Sequence, residues 1–232
     1  MNPIVIPFVI AMMSYSGFTW VFKSSGVQLS VTNLKQILED KGAKSVGQWE
    51  FGIRDYSNHH LIMYDQKQKM NLSSVSDSLL GSNVAIMYNS SKTQAFAYRK
   101  DIDALVRNLG LKLIEAIDVE GQIYSIGDIT FAFGPILKNK TLTKDILLRI
   151  EIKSLVNAQS FEPALYDNLV KDLFTILGSQ AKDAFYKESF LETTKEFMKK
   201  ESPKETTDRR NKVVFDQTNI ARTYCKLFFD TF

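Results

Sequence analysis

The chain is poor in the side chains that most often hold metal ions. Its 232 residues include one cysteine, Cys225, and two adjacent histidines, His59 and His60. A single cysteine excludes an internal disulfide and a multi-cysteine metal cage, and it fits a reducing compartment. Neighbouring side chains on a strand point to opposite faces, so the two histidines are poorly placed to chelate one ion. The sequence therefore predicts no metal and no cofactor, and Cys225 as a small buried hydrophobe rather than a nucleophile.

Excess charge and long apolar runs are absent as well. Lys and Arg number 29 against 26 Asp and Glu, a net charge of +3, and they form no basic cluster of the kind that nucleic-acid binding needs. The apolar stretch within residues 1–16 contains Pro7, is too short to cross a bilayer, and lacks the positive start of a signal peptide. We therefore expect no direct contact with nucleic acid and no membrane span.

Three N-x-S/T sequons leave a secreted β-barrel binding module open as one alternative. They begin at Asn71, Asn89 and Asn139, and such acceptor sites suit the surface of a secreted protein. Residues 1–16 are otherwise an N-terminal extension or a mis-assigned start, because the chain offers later methionines. No linker divides residues 17–232, which we predict to form a single domain.

Apolar and polar side chains alternate along most of the first two thirds of the chain. The clearest stretch is DILLRIEIK, in which Ile146, Leu148, Ile150 and Ile152 share one face. This period is typical of antiparallel strands with one buried face and one exposed face. So many successive strands favour closure, because a closed sheet has no exposed edges. We predict an α+β fold, predominantly antiparallel β: a closed β-barrel with peripheral helices.

Helical periodicity appears between and after these strands. One predicted helix begins at Pro163 and ends at Gly178, and a C-terminal helix covers about 216–230. Between them, about 199–212 carries charges of alternating sign without apolar periodicity, which predicts a mobile, solvated loop. The apolar stripe around Tyr224 and Phe228 packs on the barrel wall, caps one end of the barrel, or binds a partner, and these possibilities stay open.

Three glycines lie close together in the stretch GQIYSIGDITFAFGPI. They are Gly121, Gly127 and Gly134, and their spacing does not match the G-x-G-x-x-G loop that binds a dinucleotide between a strand and a helix. A strand, and not a helix, is expected after them. We predict that Gly121 and Gly127 allow turns or bulges at the ends of strands and that the three glycines are corners of a sheet, so the sequence indicates no phosphate-binding loop.

One strand carries an enzyme alternative. The stretch RIEIK resembles the E-x-E-x-K strand of triphosphate tunnel metalloenzymes, which are antiparallel barrels that hold a divalent ion on carboxylates in the bore. Arg149, Glu151 and Lys153 share one strand face, as that motif requires. Arg149, however, stands where the first glutamate belongs, and a guanidinium cannot bind a hard cation. A phosphohydrolase of this type is the alternative, and we predict that the chain is not an enzyme.

Two longer stretches resemble the family of Mediator complex subunit 20. The first runs from GFTWVFK to GIRDYSN, and the second from VEGQIYSIGD to LLRIEI. The residues that carry the resemblance are Trp49, Phe51, Arg54 and Tyr56 in the first stretch and Gly121, Tyr124, Asp128 and Gly134 in the second. The order of these features, more than any one of them, supports the resemblance.

The resemblance implies a non-catalytic, nuclear subunit of the Mediator head module, a coactivator in RNA polymerase II transcription. It implies a β-barrel that docks to the related barrel of subunit 18, with subunit 8 tethering the pair to other head-module subunits. Such a subunit acts through its surface. No catalytic, cofactor-binding or metal-binding residue follows from the resemblance, and no residue of the partner interface is assigned.

Overall fold

The structure, a computed structural model, describes residues 9–14, 17–24, 29–58, 70–80, 83–89, 93–98, 102–153, 163–185, 220–222, 224–225 and 227–229. The strands are β1 Val9–Ser14, β2 Gly17–Lys23, β3 Lys44–Ser57, β4 Met70–Asp77, β5 Asn83–Asn89, β6 Thr93–Tyr98, β7 Lys112–Ile126, β8 Ile129–Lys138 and β9 Thr141–Lys153. The helices are α1 Val31–Asp40, α2 Asp103–Asn108 and α3 Pro163–Phe185. The helical residues 220–222, 224–225 and 227–229 are called the C-terminal segment below. The predicted loop at about 199–212, and His59 and His60, lie outside the described residues.

All strands belong to one antiparallel sheet with the order β1-β2-β9-β8-β7-β3-β4-β5-β6. Part of the predicted N-terminal extension therefore joins the sheet, because β1 pairs with β2 from Val9↔Phe22 to Ser14↔Gly17. The predicted antiparallel α+β architecture is confirmed. The predicted closure is wrong: the sheet is a curled half-barrel. Within the described residues β1 and β6 do not pair, so side chains and not a closing ladder hold the curl.

The direction of the curl follows from one contact. Arg149 on β9 donates a hydrogen bond to Asp77 on β4, although β8, β7 and β3 lie between these two strands. Four strand spacings in a flat sheet amount to ~19 Å, which is far beyond hydrogen-bond reach. The sheet must therefore bend towards the face that carries Arg149 and Asp77. We call this the inner face, and the opposite one the outer face.

The outer face carries the helices α1 and α3. Leu34 and Leu38 of α1 are buried, and Phe174 of α3 meets Phe22 of β2 edge-on at a ring distance of 5.2 Å. Burying such apolar surface is the main force that holds the helices on the sheet. No helix among the described residues is long and apolar enough to cross a membrane.

Helix α3 continues beyond its predicted end at Gly178. Gly178 has a φ of +83°, and the helix is kinked there before it resumes as far as Phe185. Ala181, Ala184 and Phe185 after the kink are fully buried against the same outer-face cluster as Phe22. The glycine therefore redirects the helix onto the sheet instead of ending it, because it adopts the left-handed conformation without strain.

Gly127 lies in a turn, as predicted, whereas Gly121 and Gly134 lie within β7 and β8 and not at their ends. Gly127 has a φ of +54° in the turn between the two strands. A Cβ atom on Gly121 would lie 2.2 Å from the carbonyl oxygen of Phe133, and one on Gly134 would lie 2.8 Å from the carbonyl oxygen of Glu120. Only glycine allows the two backbones to approach this closely where the sheet bends.

We expect Gly121→Ala and Gly134→Ala each to lower the free energy of unfolding by about 1–3 kcal/mol, because the new methyl group forces the paired strands β7 and β8 apart. Gly47→Ala is the control, since a Cβ atom there meets nothing within 4 Å. Urea unfolding curves measure all three variants. A Gly121→Ala protein as stable as the Gly47→Ala protein would contradict this account of the bend.

Candidate functional site

The inner face is organised around the buried carboxylate of Asp77. Its Oδ1 atom accepts hydrogen bonds from Trp49 Nε1 and from the backbone N–H of Leu79, both at 2.9 Å. Its Oδ2 atom accepts from the Tyr224 hydroxyl at 2.9 Å and from Arg149 Nη1. The carboxylate therefore joins β3, β4, β9 and the C-terminal segment at one point.

Local sequence explains why a carboxylate lies there. Asp77 is the last residue of β4, and the chain turns directly after it, with the backbone N–H of Leu80 donating to the Asp77 carbonyl at 2.9 Å. An aspartate at the start of a turn caps the backbone N–H two residues on, which is the bond from Leu79. Trp49 follows the alternation of β3 onto the inner face, where Phe51 and Ile53 are also buried.

Arg149 is the cation that matches this carboxylate. Its side chain is 2% exposed, and its Nη2 donates to Glu151 Oε2 at 3.1 Å. Burial, the largest single effect, would lower the pKa of Arg149, but the charge of Asp77 together with the neighbouring Tyr224 and Glu151 raises the pKa above its ordinary value. The Nε atom of Arg149 has no hydrogen-bond partner in the part of the chain that the structure describes.

The C-terminal segment lies across the inner face. The ring of Tyr224 lies 4.3 Å from that of Phe51, and the Phe228 ring lies 6.1 Å from Phe51 and 5.7 Å from Lys23 Nζ. Burial and then the charge of Asp77 raise the pKa of Tyr224. Burial raises the pKa of the Cys225 thiol to about 12, so this thiol is unreactive in the folded chain, as the sequence predicts.

A second polar cluster lies further along the same face. Asp55 Oδ1 accepts from the Ser73 hydroxyl at 2.9 Å and from the Tyr88 hydroxyl at 3.1 Å. Burial raises the pKa of Asp55, and the neighbouring charge of Glu115 adds to this effect. Glu115 itself pairs with Lys138 at 2.8 Å. The polar side chains of this cluster therefore bond to one another.

The residues present do not fit a divalent cation of the kind that triphosphate tunnel enzymes hold. Arg149 and Glu151 do point to the inner face, as predicted, but the guanidinium of Arg149 bonds to the carboxylates of Asp77 and Glu151. No group of three or more possible metal ligands occurs among the described residues. No catalytic step through a metal follows from this arrangement.

Sequence reasoning missed Asp77 altogether. The strand NLSSVSD shows only that β4 ends in a turn-forming residue. Arg149 lies 72 positions further along the chain and Tyr224 lies 147 positions further. A pattern with period two places a side chain on a face but does not say which distant residue meets it.

No protein-family model and no curated protein matches this chain. Several solved structures are similar to this chain at low identity. A protein from Pyrococcus horikoshii is 15% identical, with 81% of this chain and 98% of that chain covered and a TM-score of 0.42. A Vibrio parahaemolyticus protein, provisionally described as an adenylate cyclase, is 11% identical, with 77% and 99% covered and a TM-score of 0.43. The Schizosaccharomyces pombe Mediator head module is 10% identical, with 68% and 94% covered and a TM-score of 0.36.

These comparisons correct the prediction that the chain is not an enzyme, and that prediction is wrong. Structures similar to this chain include one described as an adenylate cyclase as well as the Mediator head module. The likeness therefore does not favour docking over catalysis. Membership of the Mediator subunit 20 family is not confirmed.

We expect Asp77→Asn to lower the free energy of unfolding by about 3–5 kcal/mol, because it removes the buried anion of the Arg149 cation and leaves only the partly exposed carboxylate of Glu151. Asp118→Asn is the matched control. Asp118 accepts from Arg54 at 2.6 Å, but these side chains are 34% and 33% exposed, and such a pair contributes ~0–1 kcal/mol. Urea unfolding followed by tryptophan fluorescence measures both changes. Equal losses would contradict the assignment of Asp77 as the centre of the inner face.

Proposed function

We propose that this chain works as a docking subunit of a multiprotein assembly. The observation that carries the proposal is that the inner face holds a helical segment that is separate in sequence from the sheet and from α3. The segment is recognised by apolar contacts and by the carboxylate of Asp77. A face that binds a helix in this way suits protein recognition, in which an amphipathic helix lies in an apolar groove.

The edges of the sheet support the same proposal. Within the described residues β1 pairs only with β2, and β6 pairs only with β5. A strand at the edge of a sheet offers backbone N–H and C=O groups to a further strand. Binding by strand addition is a common mode of recognition between proteins, so an open half-barrel has more docking surface than a closed barrel.

The finer proposal is a subunit of the Mediator head module, in the nucleus, that pairs with the related subunit 18 and serves RNA polymerase II transcription. The residues behind the resemblance support it through their structural roles. Trp49 holds the Asp77 carboxylate, and Gly121 and Gly134 allow the close approach at the bend. These positions maintain the curled sheet, which a related barrel partner requires.

We expect the full chain, co-expressed with the subunit 18 of its own organism, to purify as a complex of one copy of each, because two curled sheets of related shape bury complementary surface. Size-exclusion chromatography with light scattering measures the stoichiometry. The Ala97→Lys variant places a charge on the exposed part of edge strand β6, and Gln48→Lys on central strand β3 is its control. Two soluble proteins that do not associate would overturn the Mediator proposal.

Phosphohydrolysis is the second candidate function. The observation that favours it is that Glu151 lies on the inner face beside Arg149 with 24% of its side chain exposed. Arg149 is a cation that could meet a phosphate group, and Glu151 is a carboxylate within reach of solvent. Because the two already bond to each other, a substrate must compete with Glu151 for the guanidinium.

Phosphate release from inorganic triphosphate or ATP, measured with Mg²⁺ or Mn²⁺ and without either, tests this candidate. If the candidate is correct, Glu151→Gln lowers the rate at least tenfold, as expected for a group that acts in the reaction. Glu120→Gln, on the outer face of β7, where Glu120 is exposed, leaves the rate unchanged. Absence of turnover in the wild-type protein, or equal rates in both variants, would reject phosphohydrolysis.

A further inference from the structure

The C-terminal segment binds the inner face as a ligand would. It places Tyr224 in a fully buried position where the hydroxyl donates to Asp77 and the ring packs on Phe51. Ile220, Ala221, Cys225 and Leu227 are also buried there. One turn of helix separates Ile220 from Tyr224 and Tyr224 from Phe228, so a single stripe makes these contacts.

The inner face selects for this stripe by chemistry as well as shape. Its floor is apolar and is formed by side chains of several strands: Val21, Trp49, Phe51, Ile53, Val75, Val119, Ala132 and Leu147. The Asp77 carboxylate is the polar group at which Tyr224 enters. A buried carboxylate requires donors, so an aliphatic residue in place of the tyrosine would leave Asp77 with one donor fewer.

The segment is tethered and is not a continuation of a sheet element. Helix α3 ends at Phe185 on the outer face, and residues 186–219 join it in sequence to the segment on the inner face. Because the segment belongs to the same chain, its binding to the inner face is intramolecular. A separate helix of the same chemistry must displace the C-terminal segment. Its apparent affinity is therefore lower the more tightly the segment binds.

We propose that the inner face is an exchangeable helix-binding groove. The C-terminal segment closes it in cis, and an amphipathic helix of a partner protein, with a tyrosine that reaches Asp77 and an aromatic residue four positions later, takes its place. The proposal rests on the docking function proposed above and names its site and the kind of partner. The proposal does not depend on which assembly the chain joins, because the test below uses only this chain and a peptide of its own sequence.

The test uses the full chain and a fluorescent peptide of residues 216–232 with Cys225→Ser. Tyr224→Phe in the full chain removes the hydroxyl that Asp77 binds, while the peptide keeps it. Tyr124→Phe is the matched control, because Tyr124 is equally buried on the outer face, where its hydroxyl donates to Glu39 at 3.0 Å. Fluorescence anisotropy gives the apparent Kd of the peptide for each chain.

Loss of a hydrogen bond to a charged acceptor lowers the equilibrium constant for binding of the helix to the inner face by about tenfold or more. We therefore expect the peptide to bind the Tyr224→Phe chain about tenfold more tightly than wild type or the Tyr124→Phe chain. A peptide that itself carries Tyr224→Phe loses about tenfold in affinity. No binding to any chain at peptide concentrations up to millimolar, or equal binding to all three, overturns the proposal.

Opening of the segment is measured independently through Cys225, the single cysteine of the chain. Cys225 belongs to the segment, and its thiol is buried against the inner face, so alkylation requires release of the segment. We expect alkylation of the Tyr224→Phe chain to be about tenfold faster than that of wild type, and unchanged in the Tyr124→Phe chain. Urea unfolding curves show whether the Tyr224→Phe chain folds. If it does not, Phe228→Ala, which removes a half-buried contact of the segment, is used in its place. Faster alkylation without a gain in peptide binding also overturns the proposal, because the released groove then accepts no helix.

Discussion

The ion pair between Asp77 and Arg149 is the contact on which the rest of the structure depends. It joins β4 to β9 across three intervening strands, and a flat sheet cannot make it. The pair therefore fixes both the direction and the extent of the curl. It also places the carboxylate where Tyr224 can donate to it. The same ion pair therefore determines both the bend of the sheet and the position of the C-terminal segment.

A buried ion pair of this kind is not in itself a large source of net stability. Removing two charges from water costs several kcal/mol for each ion, and the attraction between them offsets this cost only when further hydrogen bonds complete the pair. Asp77 has those bonds, from Trp49, Leu79 and Tyr224. A sheet without a closing ladder needs such a device, since apolar packing alone permits many degrees of curl.

The local features could be predicted from the sequence, and the long-range ones could not. Alternation located β9 and the shared face of Arg149 and Glu151, because apolar and charged side chains alternate along this strand. The turn at Gly127 followed from its position between two apolar runs. Closure was predicted from the cost of exposed edges, but the sequence does not show which strands end the sheet. Asp77 was missed because its partners lie far along the chain.

The most direct test of this account is a double-mutant cycle between Asp77→Asn and Arg149→Met, with free energies of unfolding from urea curves. If the pair holds the curl, the two losses are not additive: the double variant is more stable than their sum implies, by at least about 1 kcal/mol, as for residues in direct contact. Additive losses, with a coupling energy of zero within error, would show that Asp77 and Arg149 act separately and would contradict the account.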